Sequence, residues 1–379
     1  MHTTDRIWAN IHLDRLAHNY NILRAQAPEG CKFLAPVKAN AYGHGAVAIS
    51  RALADLGCDC LAVACLSEAL ELREAGIDRP ILIFGYTNPK DAPLLVEHGL
   101  IQTVFSLEQA EALSHALAGS GQTLQIHLEL DTGMGRLGFA VNAFAEPLED
   151  ARTAMTLPHL DVQGIFTHFP VSDRDEGYDA DFTREQLEAF ALAVHWLEAE
   201  TGKHIPLRHA ANSGGVLRFP ESHLNMIRPG IALYGVSPNP ALIQVDLKPV
   251  MELRTRIIQV RDFADGEFVS YGKTYQTRGS QQIAVVPIGY ADGLHRVLSG
   301  KIDMLLHGKR VPQVGRICMD MCMLDVSGAE KISIGDTVTI FGEDGDKSIP
   351  VDELAERAGT ISYELLTAIA PRVPRLYSH

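Results

Sequence analysis

No stretch of this sequence approaches the roughly 20 consecutive apolar residues that a membrane-spanning helix needs. The N-terminal run from Met1 to Trp8 also lacks the basic region and apolar core of a leader peptide. Both absences predict a cytoplasmic protein with no membrane partner. Basic residues are scarce relative to acidic ones, with 33 Lys and Arg against 47 Asp and Glu and a formal charge of -14. Such a balance argues against unassisted binding to nucleic acid or to an anionic membrane, although a local cluster of arginine and amide donors can still hold an anionic cofactor. The cysteines are few and unpatterned: Cys31, Cys58, Cys60, Cys65, Cys318 and Cys322 form no C-x-x-C pair and no zinc-type spacing with histidine. Plain reduced thiols and no metal are expected. Internal repeats, low-complexity segments and long linkers are missing as well.

What is present is a 379-residue chain with 46% hydrophobic and 21% charged residues, an ordinary globular composition with room for two domains. Through the first 240 residues, apolar β-rich runs at about 33–37, 60–64, 81–84, 101–104, 124–130, 162–168, 207–211 and 224–228 alternate with helix-length stretches. Among these stretches are Leu66 to Ala75, Ser106 to Leu117 and Thr183 to Ala199. Eight strands in so short a span favour an α/β fold closed into a (β/α)8 barrel over an open doubly wound sheet. From about Lys248 the pattern becomes short, glycine-punctuated β segments (250–261, 282–289, 310–317, 322–326, 337–341) with a helical pair from Val351 to Ala370, a mainly β second domain.

The segment with most chemical content is Val37-Lys38-Ala39-Asn40-Ala41-Tyr42-Gly43-His44-Gly45. It places one lysine at the end of a buried strand, ahead of a turn of small residues and an amphipathic helix from Ala46 to Leu56. A desolvated amine there has a lowered pKa and attacks carbonyls, as a Schiff-base lysine does. Taken alone, an exposed lysine capping the strand is an equal reading. In the barrel frame Lys38 ends the first strand, Arg136 follows the fifth, His168 ends the sixth, Asn212 and Ser213 follow the seventh and Arg228 ends the eighth. All fall at the C-terminal face, where barrel enzymes carry their chemistry. Any one of them, such as His168, is more ordinarily a hydrogen-bonded structural residue.

The segment from Val37 to Gly45, together with Asp131-Thr132-Gly133-Met134-Gly135-Arg136-Leu137-Gly138, Thr167-His168-Phe169, Ala211-Asn212-Ser213, Arg228-Pro229-Gly230, Ser270-Tyr271-Gly272, Gly289-Tyr290-Ala291-Asp292-Gly293 and Gly315-Arg316-Ile317-Cys318-Met319-Asp320, resembles the alanine racemases that use pyridoxal 5'-phosphate. The resemblance runs from near the N-terminus to Tyr363. It implies a barrel over 12–240 and a β domain made of 1–11 and 241–379, the first residues joining that domain as a strand. It also implies a homodimer with shared active sites, in which Lys38 carries the cofactor and acts as one base and Tyr271 of the other subunit acts as the second.

By the same resemblance, Tyr42, Ser213, Tyr363 and the backbone near Gly230 and Ile231 hold the phosphate, with His168 and Asn212 also on the cofactor. Arg228 faces the pyridine nitrogen and, since arginine keeps its proton, leaves that nitrogen unprotonated. Arg136 meets the phenolic oxygen and the substrate carboxylate, Met319 offers a backbone N–H to that carboxylate, Tyr290 narrows the entrance and Asp320 orients its neighbours. A tyrosine base needs cationic neighbours to lower its pKa, and His168 and Arg228 are the expected ones. Several members of the family place a carbamylated lysine seven residues before the arginine, where this chain has Glu129. Alternation along Leu124 to Leu130 turns Gln125, His127 and Glu129 into the barrel, so Glu129 is expected to supply that negative charge directly.

The activity implied is interconversion of L-alanine and D-alanine, supplying D-alanine for peptidoglycan. The alternatives are a serine or broad-specificity racemase of the same fold, a related amino-acid decarboxylase, and a non-enzymatic pyridoxal-phosphate-binding homeostasis protein. Tyr363 counts against serine, Arg228 against decarboxylation, and the second domain with Tyr271 against the homeostasis protein.

Overall fold

Continuous burial on both faces marks the first set of strands. In the computed structural model, which describes residues 6–141 and 146–378, the chain forms two compact units, Ala17–Ala41 with Ala46–Leu247, and Met1–Leu16 with Tyr42–Gly45 and Lys248–His379. After β1 (Ile7–His12), the strands β2 (Lys32–Pro36), β3 (Cys60–Val63), β4 (Ile81–Ile83), β5 (Leu100–Val104) and β6 (Leu124–Asp131) are followed by a short β7 (Phe139–Ala140), then β8 (Leu160–Phe166), β9 (Leu207–His209) and β10 (Met226–Ile227). β3, β4 and β5 are buried at every residue, as strands covered by helices outside and packed side chains inside must be.

Pairing is parallel in the order β10-β2-β3-β4-β5-β6-β8-β9. The remaining seam carries the bonds Arg228 N–H to Ala211 O (2.9 Å) and Asn225 N–H to Arg208 O (3.4 Å). The result is a nearly closed eight-stranded barrel. Leu34, Cys60, Ala62, Leu82, Ile101 and Met226 meet in one apolar cluster, packed by Phe84 and Leu207.

The connecting helices follow their apolar stripes. The helix Asp179–Thr201 buries Thr183, Gln186, Phe190, Ala193, Val194 and Leu197 and ends at Gly202 with φ 62°, a left-handed C-terminal stop. The helix Leu107–Ala116 is capped by Ser106, whose hydroxyl accepts the Gln109 N–H at 3.2 Å.

The second unit is built on a sheet of β1, β11 (Met251–Arg256), β12 (Gln259–Phe263), β15 (Gln281–Val286), β16 (Asp303–Leu306), β17 (Lys309–Val314), β18 (Cys322–Asp325), β19 (Thr337–Asp344), β20 (Lys347–Ile349) and β21 (Arg375–Ser378). A separate hairpin joins β13 (Phe268–Val269) to β14 (Tyr275–Gln276). β1 lies between the two ends of its own unit, antiparallel to β11 (Ile7 opposite Thr255) and parallel to β21 (Ala9 opposite Arg375).

The single β segment expected over 250–261 is two strands. Its backbone changes partner midway: Ile257 N–H bonds Asp336 O, and Ile258 N–H bonds Val285 O, so β11 pairs with β19 and β12 with β15. The helical pair is Val351–Ala358 and Ser362–Thr367, separated by Gly359 with φ 72°. Among the described residues no helix is long and apolar enough to cross a membrane.

Candidate active site

Lys38 begins where β2 leaves its ladder, just after Val37 N–H bonds Ala62 O at 2.8 Å. Its side chain is half-buried, and burial, followed by the neighbouring Arg136 and Arg228 guanidiniums, holds its amine below the ordinary lysine value, while Glu68 acts the other way. The Nζ atom stands 6.0 Å from the centroid of the Phe84 ring. Beyond it the backbone makes a left-handed turn, with φ 52°, 54°, 52° and 53° at Ala39, Asn40, Ala41 and Tyr42. Of these residue types only asparagine visits that region with ease, and each L-residue there costs roughly 1–2 kcal/mol. The turn is held by Ala41 N–H to Val37 O (2.8 Å) and by the Asn40 carbonyl accepting Ala46 N–H (2.8 Å).

Arg228 is buried and anchored through both terminal nitrogens. Nη1 donates to His209 Nδ1 (2.8 Å) and His209 O (2.9 Å); Nη2 donates to Thr167 O (2.9 Å), His168 Nδ1 (3.2 Å) and Ala210 O (3.2 Å). Among the described residues no partner meets its Nε–H. A guanidinium only donates, so both imidazole Nδ1 atoms must be bare acceptors. His209 in turn meets His127, Nε2 to Nδ1 at 2.9 Å. Burial first, and then the Arg228 charge, pushes His168 and His209 well below the ordinary range and His127 down to about 3.

Three neutral histidines thus surround the base of one buried cation. The expectation of a cationic His168 is corrected: a protonated ring there would lose its bond from Arg228 and face that charge in a desolvated setting. Arg228 itself is lowered to about 10 by burial and stays protonated at neutral pH. His127 and His209 escaped the site reading. Their signal was a histidine at an inward position of each of two barrel strands.

Glu129 is buried and lies 4.0 Å from Arg136, whose side chain is half exposed. Burial raises its carboxyl to about 7, against the opposing pull of Arg136 and Arg228. Gln125, expected to face inward, is exposed instead, because it sits near the start of β6 at the barrel rim, while His127 and Glu129 are buried. The loop carrying Arg136 is shaped by Asp131, whose carboxylate accepts N–H bonds from Gly133 (2.9 Å), Met134 (2.8 Å) and Gly135 (3.0 Å). Gly138 closes it with φ 124°, and a Cβ there would stand 2.6 Å from Asp131 N.

Asn212 caps the helix Ser213–Arg218 by accepting Gly215 N–H at 2.9 Å, and it donates to Phe169 O at 3.0 Å. Ser213 Oγ accepts Ala232 N–H at 3.2 Å, which ties the start of this helix to the turn after Gly230 and Ile231. A serine hydroxyl that accepts one bond keeps its own O–H as a donor. Lys38, Glu129, Arg136, His168, Asn212, Ser213 and Arg228, with Gly230 and Ile231, therefore belong to the barrel unit.

The remaining expected residues belong to the second unit. Tyr42 and Tyr363 have ring centroids 6.1 Å apart, and burial raises the Tyr42 phenol to about 12. Tyr271 follows Ser270 at φ 69° in the β13–β14 connection and is 70% exposed, with Met319 54% and Tyr290 42% exposed. Tyr290 N–H bonds Cys318 O and Ala291 N–H bonds Met319 O, both at 3.0 Å, so the loops carrying Tyr290 and Met319 are paired. Asp320 accepts from Arg372 Nη2 at 2.7 Å.

Residues 11–238 match the model for the alanine racemase N-terminal domain and residues 250–377 that for the alanine racemase C-terminal domain. The chain is 42% identical to an alanine racemase of Methanococcus maripaludis over 98% of this chain and 99% of that one. It is 44% identical to one of Desulfosudis oleivorans over 98% and 96%. Its structure superposes on alanine racemase from Bacillus anthracis with bound L-Ala-P at a TM-score of 0.93, with 34% identity and coverage of 100% of this chain and 96% of that one. Alanine racemase from Clostridium difficile gives a TM-score of 0.92, 36% identity and coverage of 99% and 96%. The chain belongs to the alanine racemase family and is an amino-acid racemase, an isomerase.

Proposed function

We propose that this protein interconverts L-alanine and D-alanine with pyridoxal 5'-phosphate, as a homodimer with shared active sites, and supplies D-alanine for peptidoglycan. The donor set fits that cofactor: an amine with a depressed pKa, an arginine whose Nε–H meets no partner among the described residues, a serine hydroxyl and backbone amides suit an aldehyde, a pyridine nitrogen and a phosphate. When bound, the cofactor supplies the electron sink that makes the substrate Cα proton removable. Lys38 would hold it, and the Lys38 amine, when free, would hold or return the Cα proton on one face. Tyr271 of the partner subunit serves the opposite face, and its 70% exposure in the single chain supports a surface waiting for another subunit. Arg136 orients the substrate carboxylate, with Glu129 behind it, and Met319 and Tyr290 complete the substrate side.

The observation that carries this reading is Arg228. Every bond to its terminal nitrogens fixes it as a donor, with neutral histidines beneath, so it would keep its proton and leave a pyridine nitrogen beside it unprotonated. This suits brief proton transfer and disfavours transamination and decarboxylation. The Bacillus anthracis relative, solved with bound L-Ala-P, supports a substrate of alanine size. Incubating the yellow purified protein with L-alanine, L-serine and larger L-amino acids, followed by chiral chromatography, tests it. D-alanine as the dominant product is expected; no turnover with cofactor bound, or release of carbon dioxide, would overturn the proposal.

A further inference from the structure

The left-handed run after Lys38 passes through four residues other than glycine before it reaches Gly43 (φ 84°), and something outside it must hold Ala39 in place. Glu68, in the first turn of the helix Leu66–Glu74, does so. Its two carboxylate oxygens are divided between two strand ends: Oε1 accepts the Ala39 N–H at 2.6 Å, and Oε2 accepts the Ala64 N–H at 2.7 Å. Ala39 is the residue after Lys38, and Ala64 is the residue after β3. The strands β2 and β3 are paired up to Pro36 and Ala62, with Val37 N–H still bonded to Ala62 O. There the main-chain ladder stops, because the turn carries the next N–H out of register. The Glu68 carboxylate takes the place of the missing carbonyl partner for both chains at once.

A helix cap alone would need only the bond to Ala64, beside the helix start, where a carboxylate also meets the favourable end of the helix dipole. The bond to Ala39 lies outside the helix Leu66–Glu74 and meets the left-handed turn Lys38–Tyr42. It is short, charge-assisted and directed at the one peptide that leads from Lys38 into the turn.

We propose that Glu68 is a positioning residue for Lys38: by bridging Ala39 N–H and Ala64 N–H it pins the left-handed turn to the end of β3 and so fixes where the amine stands. This rests on the reading of Lys38 as the amine that carries the cofactor. Among the described residues, the Glu68 charge also acts on the Lys38 amine, opposing Arg136 and Arg228.

The test uses the full chain with Glu68→Gln and Glu68→Ala. Amide hydrogen exchange in the cofactor-free protein is read at Ala39 and Ala64, and the rate at which Lys38 takes up pyridoxal phosphate is read by visible absorbance. Losing a charge-assisted acceptor should speed Ala39 exchange by about tenfold or more in both variants. Cofactor uptake should slow by a comparable factor, with kcat falling and KM little changed. Faster exchange confined to Ala64 and the helix, with Ala39 and cofactor uptake as in the wild type, would reduce Glu68 to a helix cap and overturn the proposal. If Glu68→Ala fails to fold, Glu68→Gln, which keeps the size and one acceptor, decides the matter by the same two readings. A wild-type protein that forms no visible band with pyridoxal phosphate would sink the functional reading, and the exchange comparison would still judge the bridge itself.

Discussion

Replacing Glu129 by glutamine should make the protein more stable and less active, and both effects should grow with pH. Burial and the neighbouring guanidiniums act on this carboxyl in opposite directions. Arg136 lies at 4.0 Å, the outer limit of an ion pair, and is half exposed, so it returns only about 0–1 kcal/mol. Burial of the carboxylate opposes it and prevails, which is why the carboxyl sits at about 7 and not at its ordinary 4.5. Between those two values the folded chain holds a proton that the unfolded chain has lost. Stability is therefore lost as pH rises from about 4.5 to about 7 and is constant above that, the full difference being about 3 kcal/mol.

The Glu129→Gln side chain is neutral throughout, so the variant should match the wild type below about pH 4 and exceed it by about 3 kcal/mol near pH 8.5. Urea unfolding at equal protein and cofactor concentration measures this. Catalysis should move the other way: above pH 7 the wild-type carboxylate orients Arg136, and losing that charge should lower kcat/KM by up to about fivefold, the upper end of what a half-exposed ion pair contributes. Near pH 6, where the wild-type carboxyl is mostly protonated, the two proteins should converge. A stability gap independent of pH together with wild-type kinetics at pH 8.5 would refute the placement of Glu129 as the charge behind Arg136.

Lys38→Ala should abolish the visible absorption of bound cofactor and lower racemisation by several orders of magnitude; a variant that keeps the band and near-normal activity refutes the anchoring role. Tyr271→Phe should stop Cα deuterium exchange from L-alanine while cofactor and substrate still bind, and mixing it with Lys38→Ala should restore partial activity, since one site of a mixed dimer receives both defects and the other neither. No recovery in proven heterodimers would place Tyr271 in its own subunit's site. Arg228→Glu removes the donor that His168 and His209 accept from, so racemisation should slow and keto acid should appear, and an unchanged spectrum and product ratio would show that Arg228 does not meet the ring. Added bicarbonate should leave wild-type activity unchanged, whereas Glu129→Lys should regain activity when bicarbonate is present; a bicarbonate-dependent wild type would point to a carbamate elsewhere.

Local pattern sufficed for much of this protein. The strands β3, β4 and β5 are legible because a parallel strand buried on both faces is a short unbroken apolar run, and the helix Asp179–Thr201 because its buried residues recur at three- and four-residue intervals. The positions of Lys38, Arg136, His168 and Arg228 after their strands came from the same alternation. Where two distant segments had to meet, periodicity was silent. The pairing of β1 with β11 and β21 depends on contacts hundreds of residues apart, and the change of partner that splits 250–261 depends on strands tens of residues further along the chain.

The charge states were equally hidden. Whether His168 is cationic, which nitrogen of His209 is bare and how far Glu129 is raised are set by burial and by the Arg228 guanidinium, quantities that exist only once the barrel closes around them. The left-handed turn after Lys38 defied local reading for the same reason. Alanine and tyrosine do not choose that conformation by themselves, and the folded barrel adds the Glu68 bond at Ala39 N–H to the bonds of Ala41 and Asn40 that hold it. Composition and periodicity thus determined the class of fold and the order of the chemical groups along it. The tertiary structure alone decided which groups touch, which protons they keep and which strained backbone is held, because those depend on desolvation and long-range contact rather than on neighbours in the chain.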